Sequence, residues 1–422
     1  MSSGTESEGL SWRASLLAGL AAFAAYFSMY ALRKPFSVGT YPGAAWEGST
    51  VTLKSAFVIS QLLGYAASKY VGIRVCSESG RRKRAVLLIS LVLVAEIGLL
   101  LFGWLPPAGK IAAIFLNGLP LGMVWGLLIR YIEGRRTTEM MLGLLSLSYI
   151  VASGIVKDLG GLALRLGVPE YWMPAVLGGV FLPVFAAAVG WLHSLPPPGP
   201  LDARLRAPRP SLDRVGRVDF VRRHWRGLVP LLILICGLTA YRDLRDNFGA
   251  ELLDELGCAQ MTGAFTIADL PAAVSVIGTL ALLSLVQDAG TGLRLVLTTM
   301  AGGLLIAATA TALFDAGLIS GLAWMILLGL GGYLTYVPFG AMLFDRMIAY
   351  TRYPGTAAFA IALADAVGYT GSVGIYLVKD TLFADLPRVA FFRLFTYGLS
   401  GAGLLLLGLA GRSLLAARPS EA

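Results

Sequence analysis

Apolar residues run in long unbroken stretches along this chain, and polar residues gather between them. Twelve such stretches fall near residues 14–33, 51–73, 85–104, 110–131, 140–166, 171–193, 227–248, 262–286, 293–314, 319–343, 355–379 and 390–411. About twenty apolar residues, wound as a helix, cross about 30 Å of hydrocarbon. The pattern therefore predicts twelve membrane-spanning helices and an all-α, polytopic membrane protein. A membrane β-barrel would instead show short strands of alternating polarity.

The longest polar break, residues 194–226, opens with Pro196-Pro197-Pro198 and continues with interleaved arginine and proline. Such a segment cannot bury a core and predicts a mobile cytoplasmic linker. It separates an N-terminal region, 1–193, from a C-terminal region, 227–422, each with six predicted spans. Two short motifs recur across that divide. Leu32-Arg33-Lys34-Pro35-Phe36 closes the first span, and Leu244-Arg245-Asp246-Asn247-Phe248 closes the seventh. Val156-Lys157-Asp158 in span five returns as Val378-Lys379-Asp380 in span eleven. Both repeats are offset by nearly the same stretch, half of the chain. Paired motifs in corresponding spans predict two homologous, pseudo-symmetric six-helix bundles, a plan used by transporters.

Composition agrees with a membrane chain: 56% of the 422 residues are hydrophobic and 14% charged, against about a quarter charged in soluble domains. The net charge of +9 would suit a nucleic-acid binder, but the distribution of charge explains it otherwise. With the N-terminus inside, inner segments hold 22 lysines and arginines and outer segments 9, with three lysines inside spans. That is the positive-inside pattern. It predicts a multi-pass protein of the cell (cytoplasmic or inner) membrane with both termini cytoplasmic, and no nucleic-acid partner. Met1 to Gly9 is polar and lacks a basic start or cleavage site, so the first helix is expected to serve as the insertion signal.

Several chemistries find no support. Cys76, Cys236 and Cys258 fall in separate places, so no disulfide framework is expected. With only His193 and His224 beside them they make a poor metal set. No glycine-rich stretch carries the Gly-Lys-Ser/Thr tail of a nucleotide loop. No nucleophile–base pair is visible either. The expectation is a non-enzyme without metal or cofactor, in a monomeric state.

Three stretches carry a family resemblance. "YALRKPF" at the end of span one resembles the Arg-Lys segment of the organophosphate:phosphate antiporters. Gly64 to Gly72, "GYAASKYVG", resembles their Tyr-Gly-x-Ser-Lys-Phe-x-x-Gly segment. "SESGRRKR", Ser77 to Arg84, resembles a degenerate form of the basic loop between spans two and three of the major facilitator superfamily. It departs from that loop in having Glu78 as its one acid, no arginine directly after it, and one extra residue of spacing. Span four, "NGLPLGMVWGLLIRYIEGRRTTE", and the entry to span six, "PEYWMP", are similar to a divergent facilitator-like family. The resemblance implies the twelve-helix facilitator fold, with the phosphate-ester antiporters as distant relatives. It also implies that Arg33 and Arg245 grip an anionic substrate and that Lys69 faces the transport cavity. The relatives' span-five contact is a histidine, where this chain has Lys157 nearby.

An ionisable side chain inside a span is costly unless it meets water or a partner. This chain keeps Lys54, Lys69, Glu96, Lys157, Asp158, Asp269 and Asp365 in its spans. Arg33 and Arg245 are the leading substrate candidates, because a planar guanidinium pairs bidentately with phosphate or carboxylate. The bland alternative makes both snorkelling residues, or has Asp243 and Asp246 neutralise Arg245. Tyr65 precedes Lys69 by four residues and shares its helical face. Ser146, Tyr149, Ser153 and Lys157 form one polar stripe, which lines either a cavity or a helix seam. Tyr30 and Tyr241 stand just before the paired arginines and are further candidate contacts, or else packing residues. Asp365 and Asp269 are candidate proton-coupling groups; each could equally form a structural salt bridge with Lys157, Arg33 or Lys69. Pro271 predicts a kink beside Asp269. Glu96 reads as a helix–helix contact.

These features predict a secondary transporter for a small anionic metabolite, a phosphate ester or carboxylate, working by alternating access around a central cationic site. A coupling proton or counter-anion and the lipid bilayer are the further expected partners. The rival class is a non-transporting membrane sensor or assembly protein that keeps the fold.

Overall fold

The computed structural model describes residues 11–78, 80–133, 135, 137–196, 214–258, 261–353 and 357–416; for residues 69–78, 81, 139, 150, 214, 215 and 358 it describes the backbone alone. Twelve long helices carry the described chain: α1 (Trp12–Arg33), α2 (Leu53–Glu78), α3 (Arg81–Trp104), α4 (Pro107–Ile132), α5 (Thr138–Arg165), α6 (Met173–Ser194), α7 (Arg214–Asn247), α8 (Ala264–Ser284), α9 (Ala289–Asp315), α10 (Gly321–Thr351), α11 (Ala358–Thr381) and α12 (Arg388–Ala416). Among the described residues, eleven helices are long and apolar enough to cross a membrane, α2 being the exception. The protein is an all-α polytopic membrane protein.

Local chemistry sets several ends. Ser11, Asp288 and Ser320 cap α1, α9 and α10, each accepting a hydrogen bond from the amide three residues on, which satisfies one orphan donor of the first turn. Pro107 starts α4, where its missing N–H costs nothing. Helix α10 ends on Arg352 in the left-handed region (φ 51°) and carries a π-helical turn at Phe339–Leu343, directly after Pro338. Helix α8 continues through Pro271.

The chain divides into two compact units between residues 208 and 209. In the first, α2 packs on α4, α3 on α4 and α6, and α1 on α5 and α6. In the second, α8 packs on α10, α9 on α10 and α12, and α7 on α11 and α12. Adding six to each helix of the first set produces the second. Each unit is a six-helix bundle with the same principal internal neighbours, in keeping with the repeated motifs.

Close approach within the bundles rests on small residues. A Cβ on Gly64 of α2 would lie 2.5 Å from the Phe115 carbonyl of α4, and one on Gly331 of α10 equally close to the Gly303 carbonyl of α9. Lipid tails are as apolar as leucine, so it is this van der Waals fit that holds such helices together. Polar ties supplement it. Buried Asn117 of α4 donates to the carbonyls of Leu32 (3.1 Å) and Ala95 (3.1 Å) and accepts from Gln61 (2.8 Å), joining α1, α2, α3 and α4. Glu170 accepts the amides of Thr40 (2.5 Å) and Tyr41 (3.3 Å), tying the entry of α6 to the loop after α1. Glu255 mirrors it, accepting the amides of Arg388 (2.9 Å) and Val389 (2.8 Å) at the start of α12.

The linker expectation needs correction. Residues 214–226 are not linker but the first part of α7, which has 34 residues, about 51 Å against about 30 Å of hydrocarbon. The added turns are held because they bury one face. Phe220 and His224 are buried, their rings packed against Tyr353 at 5.3 Å. The Tyr353 hydroxyl donates to the Gly216 carbonyl (3.0 Å) and meets Asp219 (3.1 Å). Residues 197–213 of the expected linker lie outside the described residues.

Candidate functional site

Each repeated arginine closes its helix, yet the two units treat them differently. Arg33, the last residue of α1, is buried. Its guanidinium carbon lies 3.9 Å from the Tyr65 ring centroid on α2 and 6.0 Å from that of Tyr30. Cation–π attraction favours both placements. Its own carbonyl accepts from Gln61 (3.1 Å). An aromatic chain leads away from it: Tyr26 packs on Tyr30 (5.5 Å) and Trp125 (4.8 Å), and Trp125 on Tyr149 of α5 (6.1 Å). The structure thus brings the predicted Arg33, Tyr30 and Tyr65 together. The side chain of Lys69 lies outside the described residues.

On α5, Lys157 and Ser153 are buried and Tyr149 and Ser146 half-buried. The polar stripe therefore exists as one face of the helix, with its basic end away from water.

In the second unit Arg245 is tied on three sides. One terminal nitrogen donates to Asp269 of α8 (2.6 Å), the other to the carbonyls of Ala268 (3.2 Å) and Met325 (3.0 Å). Both charged side chains are buried. One expectation changes here. The carboxylate that meets Arg245 is Asp269, whereas Asp243 turns to Arg242. The cause is helix geometry: Asp243 lies two residues back, on another side of α7, while Gly329 leaves room for the guanidinium between α8 and α10.

Asp243 pairs instead with Arg242. Its Oδ1 accepts from Arg242 Nε (2.9 Å) and Nη2 (2.7 Å), and its Oδ2 from Ser372 of α11 (2.7 Å). Arg242 Nη1 donates to the Tyr336 hydroxyl of α10, and its guanidinium carbon lies 4.4 Å from the Tyr336 ring centroid. Asp365, half-buried on α11, acts electrostatically on Tyr336. Tyr241 is buried, stacked on Phe392 at 4.7 Å, with its hydroxyl at 3.4 Å from Thr396.

A model described as a family of unknown function, DUF5690, matches residues 35–412. The chain belongs to that family. No curated protein matches it in sequence. Among solved structures, it is similar to a D-xylose–proton symporter, at 13% identity over 94% of this chain and 96% of the other, with a TM-score of 0.64. It is similar to a bacterial homologue of the human lysosomal transporter Spinster, at 14% identity over 98% and 100%, TM-score 0.64. The peptide transporter POT aligns at 14% identity over 95% of both chains, TM-score 0.64. These likenesses show the fold, that of the major facilitator superfamily with its two six-helix bundles.

Gln61, Asn117, Ser372, Tyr336 and Arg242 were not candidate site residues in the sequence, and Asp243 entered only as an alternative partner of Arg245. Asn117 and Gln61 did carry a signal, since a lone amide in an apolar run needs a partner helix. Ser372 carried none, because a serine between small residues reads as packing.

Proposed function

We propose that this member of the family is a secondary transporter that moves a small anionic solute, a phosphate ester or carboxylate, by alternating access. The observation that supports it best is the burial of Arg33 and Lys157 within membrane-spanning helices of the first bundle. A membrane protein keeps such charges where they bind something, because they are costly to hold there. Arg33, Lys157 and Lys69 are assigned as the basic contacts, with Tyr30 and Tyr65 lining the approach to Arg33. Asp365 is assigned as the proton-carrying group, a role in keeping with a structural neighbour that is a proton symporter. Arg245 and Asp269 are assigned to each other as a structural pair, and Tyr241 to packing.

Reconstitution into proteoliposomes tests the reading. Uptake of labelled inorganic phosphate, glycerol 3-phosphate and citrate is measured with the wild type and with Arg33→Lys. The expected result is protein-dependent uptake of at least one anion, reduced about tenfold or more by the loss of the planar fork. Uptake of none of them, or uptake indifferent to Arg33→Lys, would overturn it.

A further inference from the structure

We propose that Arg242, one helical turn before Arg245, is the cation that the second bundle presents to an anionic solute. The proposal rests on the transporter reading above and changes which residue of α7 does the binding.

Two arginines stand on α7 three residues apart, and their surroundings divide the work. Arg245 joins three helices, meeting Asp269 and the Ala268 carbonyl on α8 and the Met325 carbonyl on α10. Its side chain is 7% exposed. Opening that site to a ligand would cost three hydrogen bonds and leave the Asp269 carboxylate buried without its cation, so its chemistry is that of a tie.

Arg242 is built differently. Its side chain is 22% exposed while its partner Asp243 is 4% exposed. Asp243 is anchored from behind by the Ser372 hydroxyl (2.7 Å) and holds one edge of the guanidinium, Nε and Nη2, at 2.9 and 2.7 Å. The Tyr336 ring supports the face. The buried carboxylate thus acts as a splint that fixes the direction of an accessible cation. Pre-positioning of this kind removes the ordering cost an arginine would otherwise carry into binding.

Nη1 and Nη2 together form the edge that pairs bidentately with an oxyanion, and each carries a second N–H beyond the one given to Tyr336 or Asp243. Nη1 donates to the Tyr336 hydroxyl. A phenol that accepts one hydrogen bond keeps its own proton to donate, so an incoming oxygen would meet a guanidinium edge and a phenolic donor together. Carboxylates and phosphates are the ligand class that fits two such donors. A neutral sugar would gain little from the positive charge.

The test uses purified protein in lipid nanodiscs, titrated with inorganic phosphate, glycerol 3-phosphate and citrate. The variants are Arg242→Lys, Arg242→Gln and Arg33→Lys, with thermal unfolding measured on each sample. The expected outcome is that Arg242→Lys, which keeps a charge for Asp243 but not the planar fork, weakens binding of the anion the wild type takes by about tenfold or more with a thermal midpoint near that of the wild type, while Arg242→Gln, which strands the buried Asp243 carboxylate, weakens it at least as much and lowers the midpoint. A second measurement needs no variant. Phenylglyoxal, mapped by mass spectrometry on the wild type, should modify Arg242 rather than Arg245, and the bound anion should slow that modification. If both Arg242 variants bind as the wild type does while Arg33→Lys is weakened, the Arg242 assignment falls and the transporter reading stands. Phenylglyoxal modification of Arg242 that the bound anion leaves unchanged also removes the assignment. If the wild type binds none of the three anions, the transporter reading fails and takes this assignment with it.

Discussion

At the residue scale, the pair Arg245–Asp269 shows how one motif can serve two purposes in two halves. Arg33 rests on aromatic faces, whereas the matching Arg245 meets a carboxylate at 2.6 Å. Removing one member strands a buried charge, which costs about 3–5 kcal/mol in comparable cases. Arg245→Gln and Asp269→Asn alone should therefore each lower stability by about that amount. The double variant should lose less than the two single losses together, since the stranded charge is gone. Unfolding of the purified variants in detergent checks this, and strictly additive losses would refute the pair. The arginine was legible in the sequence because its motif repeats. Its partner was not, because Asp269 belongs to the next long helix and only the packing of α7 against α8 and α10 brings the two together.

At the scale of single elements, α7 departs most from what its sequence suggests. Arginines and neighbouring prolines before residue 227 read as linker, yet the helix begins at Arg214. Local composition missed this because the deciding contacts lie on another segment, at Tyr353. Tyr353→Phe removes the hydroxyl that meets Gly216 and Asp219, a loss of about 1 kcal/mol for each neutral hydrogen bond. Amide exchange over residues 216–224 should then quicken, while exchange in the membrane part of α7 stays as slow as before. Unchanged exchange over 216–224 would show that ring packing of Phe220 and His224 alone holds these turns. Elsewhere, apart from α10, which runs on to Thr351 beyond the expected end at 343, element positions were legible to within about five residues. Each apolar run must be long enough for hydrocarbon, and lipid leaves the backbone few choices besides the helix.

At the scale of the whole molecule, the six-plus-six plan and the charge asymmetry lead to a topology that can be tested. The 22-to-9 split of lysine and arginine predicts that the exposed turns of α7 before the span face the cytoplasm. A cysteine placed at Arg217 in a variant lacking Cys76, Cys236 and Cys258 should stay unlabelled by a membrane-impermeant maleimide in intact cells and react once the membrane is permeabilised. Labelling in intact cells would invert the topology. The same principal pairs of neighbouring helices in both bundles give the repeat a physical meaning: two halves that share one packing scheme can still differ in the charges they bury.

Hydrophobic spacing by itself determined the fold class, the number of long helices and the two-part division, because a bilayer reads length and polarity, both written locally along the chain. The two repeated motifs, at nearly equal offsets, likewise pointed to the correspondence of the two halves that their principal helix pairs display. What tertiary structure alone decided was which charges are spent within the protein. Arg242 and Arg245 have the same chemistry, lie one turn apart, and are equally plausible as letters. Gly329 makes space for one of them beside Asp269, and Ser372 steadies the carboxylate that directs the other. Whether a guanidinium is locked between helices or keeps part of its surface exposed is set by atoms a few ångströms away, and several of those atoms come from helices that are near in space and far in sequence.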